Sequence, residues 1–284
     1  MAKIGKKNLL EVVKIAPHGA YLQGGWLGEI LLPNRYLPED CEVGDPLNVF
    51  VYLDSEDRFI ATTIKPKAQV GEVAFLKVIA VNKVGAFLDW GLPKDLLVPF
   101  SQQQTTMEEG KSYLVYVFTD EETHRIAASS KLNKFIERHP EHYTNGQQVE
   151  LIVNAMTDIG YSAVIDHKDW GVLFYSDVVK PLTIGQKVKG YIKRVRDDGK
   201  IDLSLQAPGF AKIDDLAIRV MDLLEKQEGF LALSDKSPPE QIYQTFSVSK
   251  KSFKTTIGTL YKKRLITIEK EGIHLINTPS SDKD

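Results

Sequence analysis

Cationic side chains crowd into two stretches of a chain whose formal net charge is −2. Lys187, Lys189, Lys193, Arg194, Arg196 and Lys200 fall together, opposed nearby only by Asp197, Asp198 and Asp202. Lys250, Lys251, Lys254, Lys262, Lys263 and Arg264 form the second group, and no Asp or Glu occurs from Gln241 to Ile268. Grouped ammonium and guanidinium groups suit phosphate oxygens. Both stretches therefore point to nucleic-acid contact through local stripes rather than one polybasic surface. A merely solvated helix face is the plainer reading of the second group.

Other chemistries find little support. Of the six histidines only His139 and His142 are close, and Pro140 breaks a helical pairing between them. Cys41 is the single cysteine, which excludes an intrachain disulfide and a multi-cysteine zinc site. There is no nucleotide-binding glycine loop, no Gly-x-Ser-x-Gly elbow and no His-Glu-x-x-His. We expect no catalytic, cofactor or metal site, and no enzymatic activity. The basic start, Met1 to Lys7, precedes an apolar stretch broken by Glu11 and Lys14, a poor signal peptide. No apolar run approaches the roughly 20 residues of a membrane span. A reduced, cytoplasmic location without a membrane partner is the simplest expectation.

The elements that must position these cations are announced by glycines. Gly5, Gly19 and Gly44 recur with identical spacing as Gly71, Gly85 and Gly110, and again as Gly146, Gly160 and Gly185. Each third glycine is followed by a basic residue (Arg58, Arg125 or Lys200) and, four places on, by a small hydroxyl residue (Thr62, Ser129 or Ser204). This is a threefold repeat. Asn8 to Ile15, Ala74 to Val81 and Val149 to Ala155 read as strands, as do Pro46 to Leu53, Ser112 to Phe118 and Lys187 to Val195. About five short strands per copy hide their edges best in a barrel. Lys131 to Arg138 looks helical until Pro140 and is expected to be a linker helix.

After Ala207-Pro208-Gly209 the period becomes helical, with Ile213, Leu216, Ala217, Val220, Leu223 and Leu224 on one face. Pro238 to Phe246 and Ser249 to Lys262 predict two more helices, the last with Phe253, Ile257, Leu260 and Tyr261 inward. Leu265 to Lys270 and Ile273 to Ile276 predict a hairpin around Glu271-Gly272. Three helices and a hairpin make a winged helix-turn-helix whose third helix is recognition-like.

Val84-Gly85-Ala86-Phe87-Leu88, Asp95 to Ser101 and Arg125-Ile126-Ala127-Ala128-Ser129-Ser130-Lys131 resemble the turn, following stretch and closing strand of S1-type OB-fold domains. The other two copies carry weaker versions: His18-Gly19-Ala20-Tyr21 with Arg58 to Thr62, and Ile159-Gly160-Tyr161 with Lys200 to Ser204. Three such barrels before a winged helix resemble the conserved virulence regulator B family of bacteria. The expected fold is mostly β: three tandem S1-type five-stranded OB barrels followed by an α+β winged helix-turn-helix. The expected boundaries are barrels at 1–66, 67–131 and 146–207, a linker helix at 132–145, the winged helix at 208–278 and a disordered tail at 279–284.

The resemblance implies RNA binding, with bases stacked on exposed aromatics and cations tracking phosphates. Carried over by position, it marks Tyr21 with Arg58, and Phe87 with Arg125. The third copy departs, because Ser162 holds the aromatic's place. Tyr161 beside it, and Phe174 in a slot where S1 domains usually have histidine, are its candidate rings. The uneven supply of cations places the main surface on the third copy and the winged helix, leaving the first two copies as lesser contacts or spacers. The partner expected is single-stranded RNA, and the role a regulator of gene expression acting on transcripts. Two other readings stay open: a DNA-binding transcription regulator using the winged helix, and a ribosome- or protein-associated adaptor that binds no nucleic acid. Nothing in the sequence sets the oligomeric state.

Overall fold

The computed structural model describes residues 1–121, 123–136, 139–178, 180–207 and 215–276. Two compact units divide the chain, 1–208 and 209–284.

The first unit holds three five-stranded barrels. In the first, β1 (Lys7–Ala16), β2 (Gly19–Gln23), β3 (Glu29–Pro33), β4 (Pro46–Leu53) and β5 (Phe59–Thr62) close in the order β1-β2-β3-β5-β4. In the second, β6 (Val73–Val81), β7 (Gly85–Asp89), β8 (Leu96–Pro99), β9 (Ser112–Thr119) and β10 (Ile126–Ser129) form a sheet whose β8 and β10 edges approach each other, so it is nearly closed. In the third, β11 (Gln148–Thr157), β12 (Gly160–Ile165), β13 (Asp169–Phe174), β14 (Lys187–Val195) and β15 (Ile201–Ser204) close as the first does. Period-two alternation sends Leu10, Val12, Leu22, Ile30, Leu32 and Val51 into the first core, and their counterparts into the others.

The repeated residues explain themselves locally. A Cβ on Gly19, Gly85 or Gly160 would run into the carbonyl oxygen of Leu32, Val98 or Leu173 on the next strand, so only glycine fits. Gly44, Gly110 and Gly185 adopt φ of +100°, +82° and +82°, and each donates its N–H to the barrel's first strand, at Val12, Val78 and Val153. The hydroxyls of Thr62, Ser129 and Ser204 accept the N–H two residues on and turn the chain out of each barrel.

The barrels are packed together rather than strung out. Phe50 and Tyr52 of β4 join the second barrel's core, where the Phe50 ring meets Trp90 edge-on at 5.6 Å. Val73 and Leu114 of the second barrel and Ile152 and Val164 of the third share a cluster with Leu132 and Ile136 between them. The linker helix expected at 132–145 is not formed among the described residues, where the segment holds only 3₁₀ turns at Leu132–Lys134 and Pro140–His142. The tight turn stacks residues three apart: Leu132 enters the inter-barrel cluster while Phe135 lies on the rings of Tyr116 and Phe118, at 4.7 and 4.9 Å.

The second unit comprises α1 (Asp215–Lys226), β16 (Phe230–Leu231), α2 (Pro239–Phe246), α3 (Lys250–Lys262), β17 (Ile266–Ile268) and β18 (Ile273–Leu275). The wing has three strands in the order β16-β18-β17, one more than the hairpin expected. Leu216, Val220, Leu224, Ile242, Phe246, Phe253, Ile257, Leu260 and Ile266 build its core. Tyr261, expected inward, is 56% exposed, since Leu260 already fills the inward position of that turn. Ser249 caps α3 by accepting the Ser252 N–H. Ile213 and the tail at 279–284 lie outside the described residues. Among those described, no helix is long and apolar enough to cross a membrane.

One contact between the second and third barrels is titratable. The Val73 N–H donates to His167 Nδ1 at 2.9 Å, which requires that nitrogen to be unprotonated. Burial pushes the imidazole below its ordinary value, against the opposing pull of Glu72. A histidine depressed in the folded state adds stability that is complete above its unfolded value of about 6.5 and fades as pH falls through the folded value. His167→Asn, which tolerates the left-handed backbone there (φ +63°), is expected to cost about 1 kcal/mol at pH 7.5. It should also flatten the acid side of the Tm-against-pH curve. An unchanged curve would show that the contact contributes nothing.

Candidate nucleic-acid interface

Strand register decides what each barrel shows on its outer wall. In the first barrel Tyr21 pairs with Leu31 and Leu31 with Ile60, a half-buried row. In the second, Phe87 pairs with Leu97. In the third, the same row is Ser162, Val172 and Asp202. The equivalent wall thus changes from aromatic and aliphatic to polar along the chain.

The second barrel has the most developed site. Phe87, Leu97, Pro99, Ile126 and Arg125 line one groove of about 650 Å³, so the predicted ring and cation are brought together. Its other lining includes Tyr52, Leu53 and Ser55 from the first barrel, which sequence reasoning missed. No repeat spacing could reveal them, because they arrive through packing between copies. The Arg125 guanidinium is ion-paired with Asp57 of the first barrel, which holds it above its ordinary value. Lys94 reaches back to the carbonyls of Leu53 and Asp54, at 3.1 and 2.6 Å, and burial pushes its ammonium down.

In the first barrel the Tyr21 hydroxyl meets His18 Nε2 at 2.7 Å, and the Lys14 ammonium lies 5.6 Å from its ring centre. Arg58 turns instead to Asp54 and Glu56, each at 2.8 Å. Burial alone would raise the Asp54 carboxyl, but hydrogen bonds from Arg58 and Glu56 hold it below its usual range.

The third barrel gathers only some of its cations: Arg196 and Lys200 line one groove with Ser162, Trp170 and Asp202. Lys187 and Lys189 lie beside β11, lining a separate small cavity with Glu150, Asp166 and His167. Lys193 pairs with Asp177 at 2.8 Å. Lys200 pairs with Asp198 at 3.0 Å, and Arg196 with Asp202 at 2.6 Å. Arg194 opens onto the same acidic corner. The Arg196 guanidinium also sits 5.7 Å from the ring centre of Phe174, the candidate ring that stays partly accessible. Tyr161 does not: it is 4% exposed within the core, and its hydroxyl accepts the Leu182 N–H at 3.2 Å. As the residue directly after the turn glycine it occupies an inward position, like Ala20 and Ala86. The expectation for Tyr161 is corrected accordingly.

On α3, Lys251, Lys254, Thr255, Gly258 and Lys262 share an outward stripe by helical spacing, with open space above Gly258. Lys254 leans toward Asp235 at 3.7 Å, and Lys250 is held by the Ser237 carbonyl at 2.9 Å. Lys263 is half-buried at the helix end, and Arg264 follows it exposed, with φ of +56°.

The model of the S1 domain family matches residues 4–64 and 70–130, and that of the CvfB-like winged helix domain matches 219–275. Conserved virulence factor B of Staphylococcus aureus strain N315 is 30% identical over 278 residues, covering 94% of this chain and 92% of its own. The protein of that name from strain USA300 matches with the same identity and coverage. A crystal structure of a multidomain protein with nucleic acid binding domains from Streptococcus pneumoniae TIGR4 is 23% identical over 96% of this chain and 98% of that one, with a TM-score of 0.41.

The contrast between inward and outward rings is testable by stability alone. Tyr161→Phe leaves the Leu182 N–H without its acceptor and is expected to lower unfolding free energy by about 1–3 kcal/mol in urea. An effect near zero would show that the Tyr161 hydroxyl's hydrogen bond contributes nothing.

Proposed function

The chain belongs to the conserved virulence factor B family, and from that premise we propose that it binds single-stranded RNA and acts as a regulator at the level of transcripts. The observation that carries the reading is the half-buried Phe87 ring sharing a groove with the Arg125 guanidinium on the wall of an S1 barrel. A base stacks on the ring while its phosphate meets the cation, each stacked base contributing about 1–3 kcal/mol. Tyr21, flanked by Lys14, offers a second and weaker platform. Lys251, Lys254 and Lys262 supply phosphate contacts from the winged helix.

Of the candidate barrel cations, Arg58, Arg125, Lys193 and Lys200 already hold carboxylates, so a phosphate must displace an internal partner to reach them. Electrostatic attraction is therefore modest, and affinity comes from several weak sites acting at high effective concentration. Catalysis has no part in this reading. Duplex DNA is the competing ligand, favoured by the cationic stripe of α3 alone.

Titration of the full chain with single-stranded RNA, single-stranded DNA and duplex DNA across salt separates these ligands. RNA is expected to bind tightest, with Phe87→Ala weakening it by about 1–3 kcal/mol. Replacing Lys251, Lys254 and Lys262 together by Ala should lower the salt slope by about 2. Tighter binding to the duplex would transfer the function to DNA, and no binding to any of the three would refute it.

A further inference from the structure

We propose that the β4–β5 hairpin of the first barrel is the second wall of the Phe87 groove, so that two barrels jointly hold one unpaired nucleobase with its phosphate on Arg125. The proposal rests on the RNA-binding reading above and specifies its principal site. A single S1 barrel offers an open wall along which a strand can run. Here Tyr52, Leu53 and Ser55 line the same groove as Phe87, Leu97 and Arg125, turning that wall into a cleft.

The added wall is anchored. Lys94 of the second barrel holds the Leu53 and Asp54 carbonyls, and Phe50 at the hairpin's base is packed edge-on against Trp90. Two further hydrogen bonds tie the barrels, Val70 N–H to the Gly5 carbonyl at 2.9 Å and Lys7 N–H to the Gln69 side-chain Oε1 at 2.7 Å. The cleft's volume of about 650 Å³ lies within the roughly 300–1,000 Å³ of pockets that enclose small ligands.

The chemistry of the walls selects the occupant. An aromatic ring and aliphatic side chains suit the face of a base, and the exposed guanidinium at the mouth suits its phosphate. An apolar peptide side chain would bring no anion for Arg125. The hairpin also carries Asp57, which occupies that guanidinium while the cleft is empty. Phosphate binding is then an exchange, with Asp57 released to solvent as the nucleotide enters. The first barrel thereby both completes the site and competes for it.

The test uses the full chain and a short single-stranded RNA. Ser55 is exposed in the hairpin turn, so Ser55→Trp puts bulk into the cleft from the first barrel's side while Phe87 itself is unaltered. It is expected to weaken binding about tenfold, as Phe87→Ala does. Asp57→Asn removes the competing carboxylate and should raise affinity about threefold. A 4-thiouridine RNA should photo-crosslink to residues 52–55 as well as to the β7 strand, a readout that stands even if the Trp variant fails to fold. Crosslinks confined to the second barrel, or wild-type affinity in both hairpin variants while Phe87→Ala weakens binding, would overturn the shared cleft and leave the RNA reading intact. Absence of RNA binding by the wild-type chain would overturn both.

Discussion

The close approach of Gly19, Gly85 and Gly160 to the neighbouring strand's carbonyl fixes everything that each barrel displays. It sets the pairing of these glycines with Pro33, Pro99 and Phe174. Two residues on, the same register puts Tyr21, Phe87 and Ser162 on the outer wall, and one residue on it puts Ala20, Ala86 and Tyr161 inside. A slip of one residue would exchange the two sets. A side chain at the glycine would force such a shift by steric overlap. The β-bulge that precedes this glycine in each first strand, between Val12 and Lys14, Val78 and Ala80, and Val153 and Ala155, adds the local twist that barrel closure needs.

That constraint explains which features were legible in the sequence. Glycines and small hydroxyls answer to local backbone demands, so their spacing reported three barrels of shared design. Counting from the glycine also carried enough information to place Tyr161 inward. Its assignment as a binding ring failed because nearness to the empty aromatic slot was weighed above strand parity. The 131–138 stretch looked helical because its apolar residues recur at three- and four-residue intervals. Those side chains serve two barrels at once, and a 3₁₀ turn meets that demand where an α-helix was expected.

Contacts between copies were invisible for a different reason. Val73 with His167, Asp57 with Arg125 and Phe50 with Trp90 join residues far apart in the chain. None of these pairings follows from a period or motif, so only the packed structure reveals them. The cationic groups were legible as composition but not as geometry. Residues 187–200 supply six cations in sequence, yet β14 and the following turn divide them: Lys187 and Lys189 lie beside β11, Arg194, Arg196 and Lys200 fall around one acidic corner, and Lys193, Arg196 and Lys200 each hold a carboxylate.

In the RNA-binding reading proposed above, this pairing moves the weight of recognition from charge to shape. Exposed ion pairs are individually worth little, about 0–1 kcal/mol, so exchanging a carboxylate for a phosphate changes the energy only slightly. What remains is stacking on rings whose positions are fixed before any ligand arrives. The three barrels form one compact unit with shared apolar clusters, so little ordering cost falls on the protein when a strand is bound. A protein with net charge −2 can therefore recognise a polyanion, provided its aromatic platforms are held rigidly enough that their modest contributions survive. The packing between barrels provides that rigidity, and the second barrel is supported from both sides.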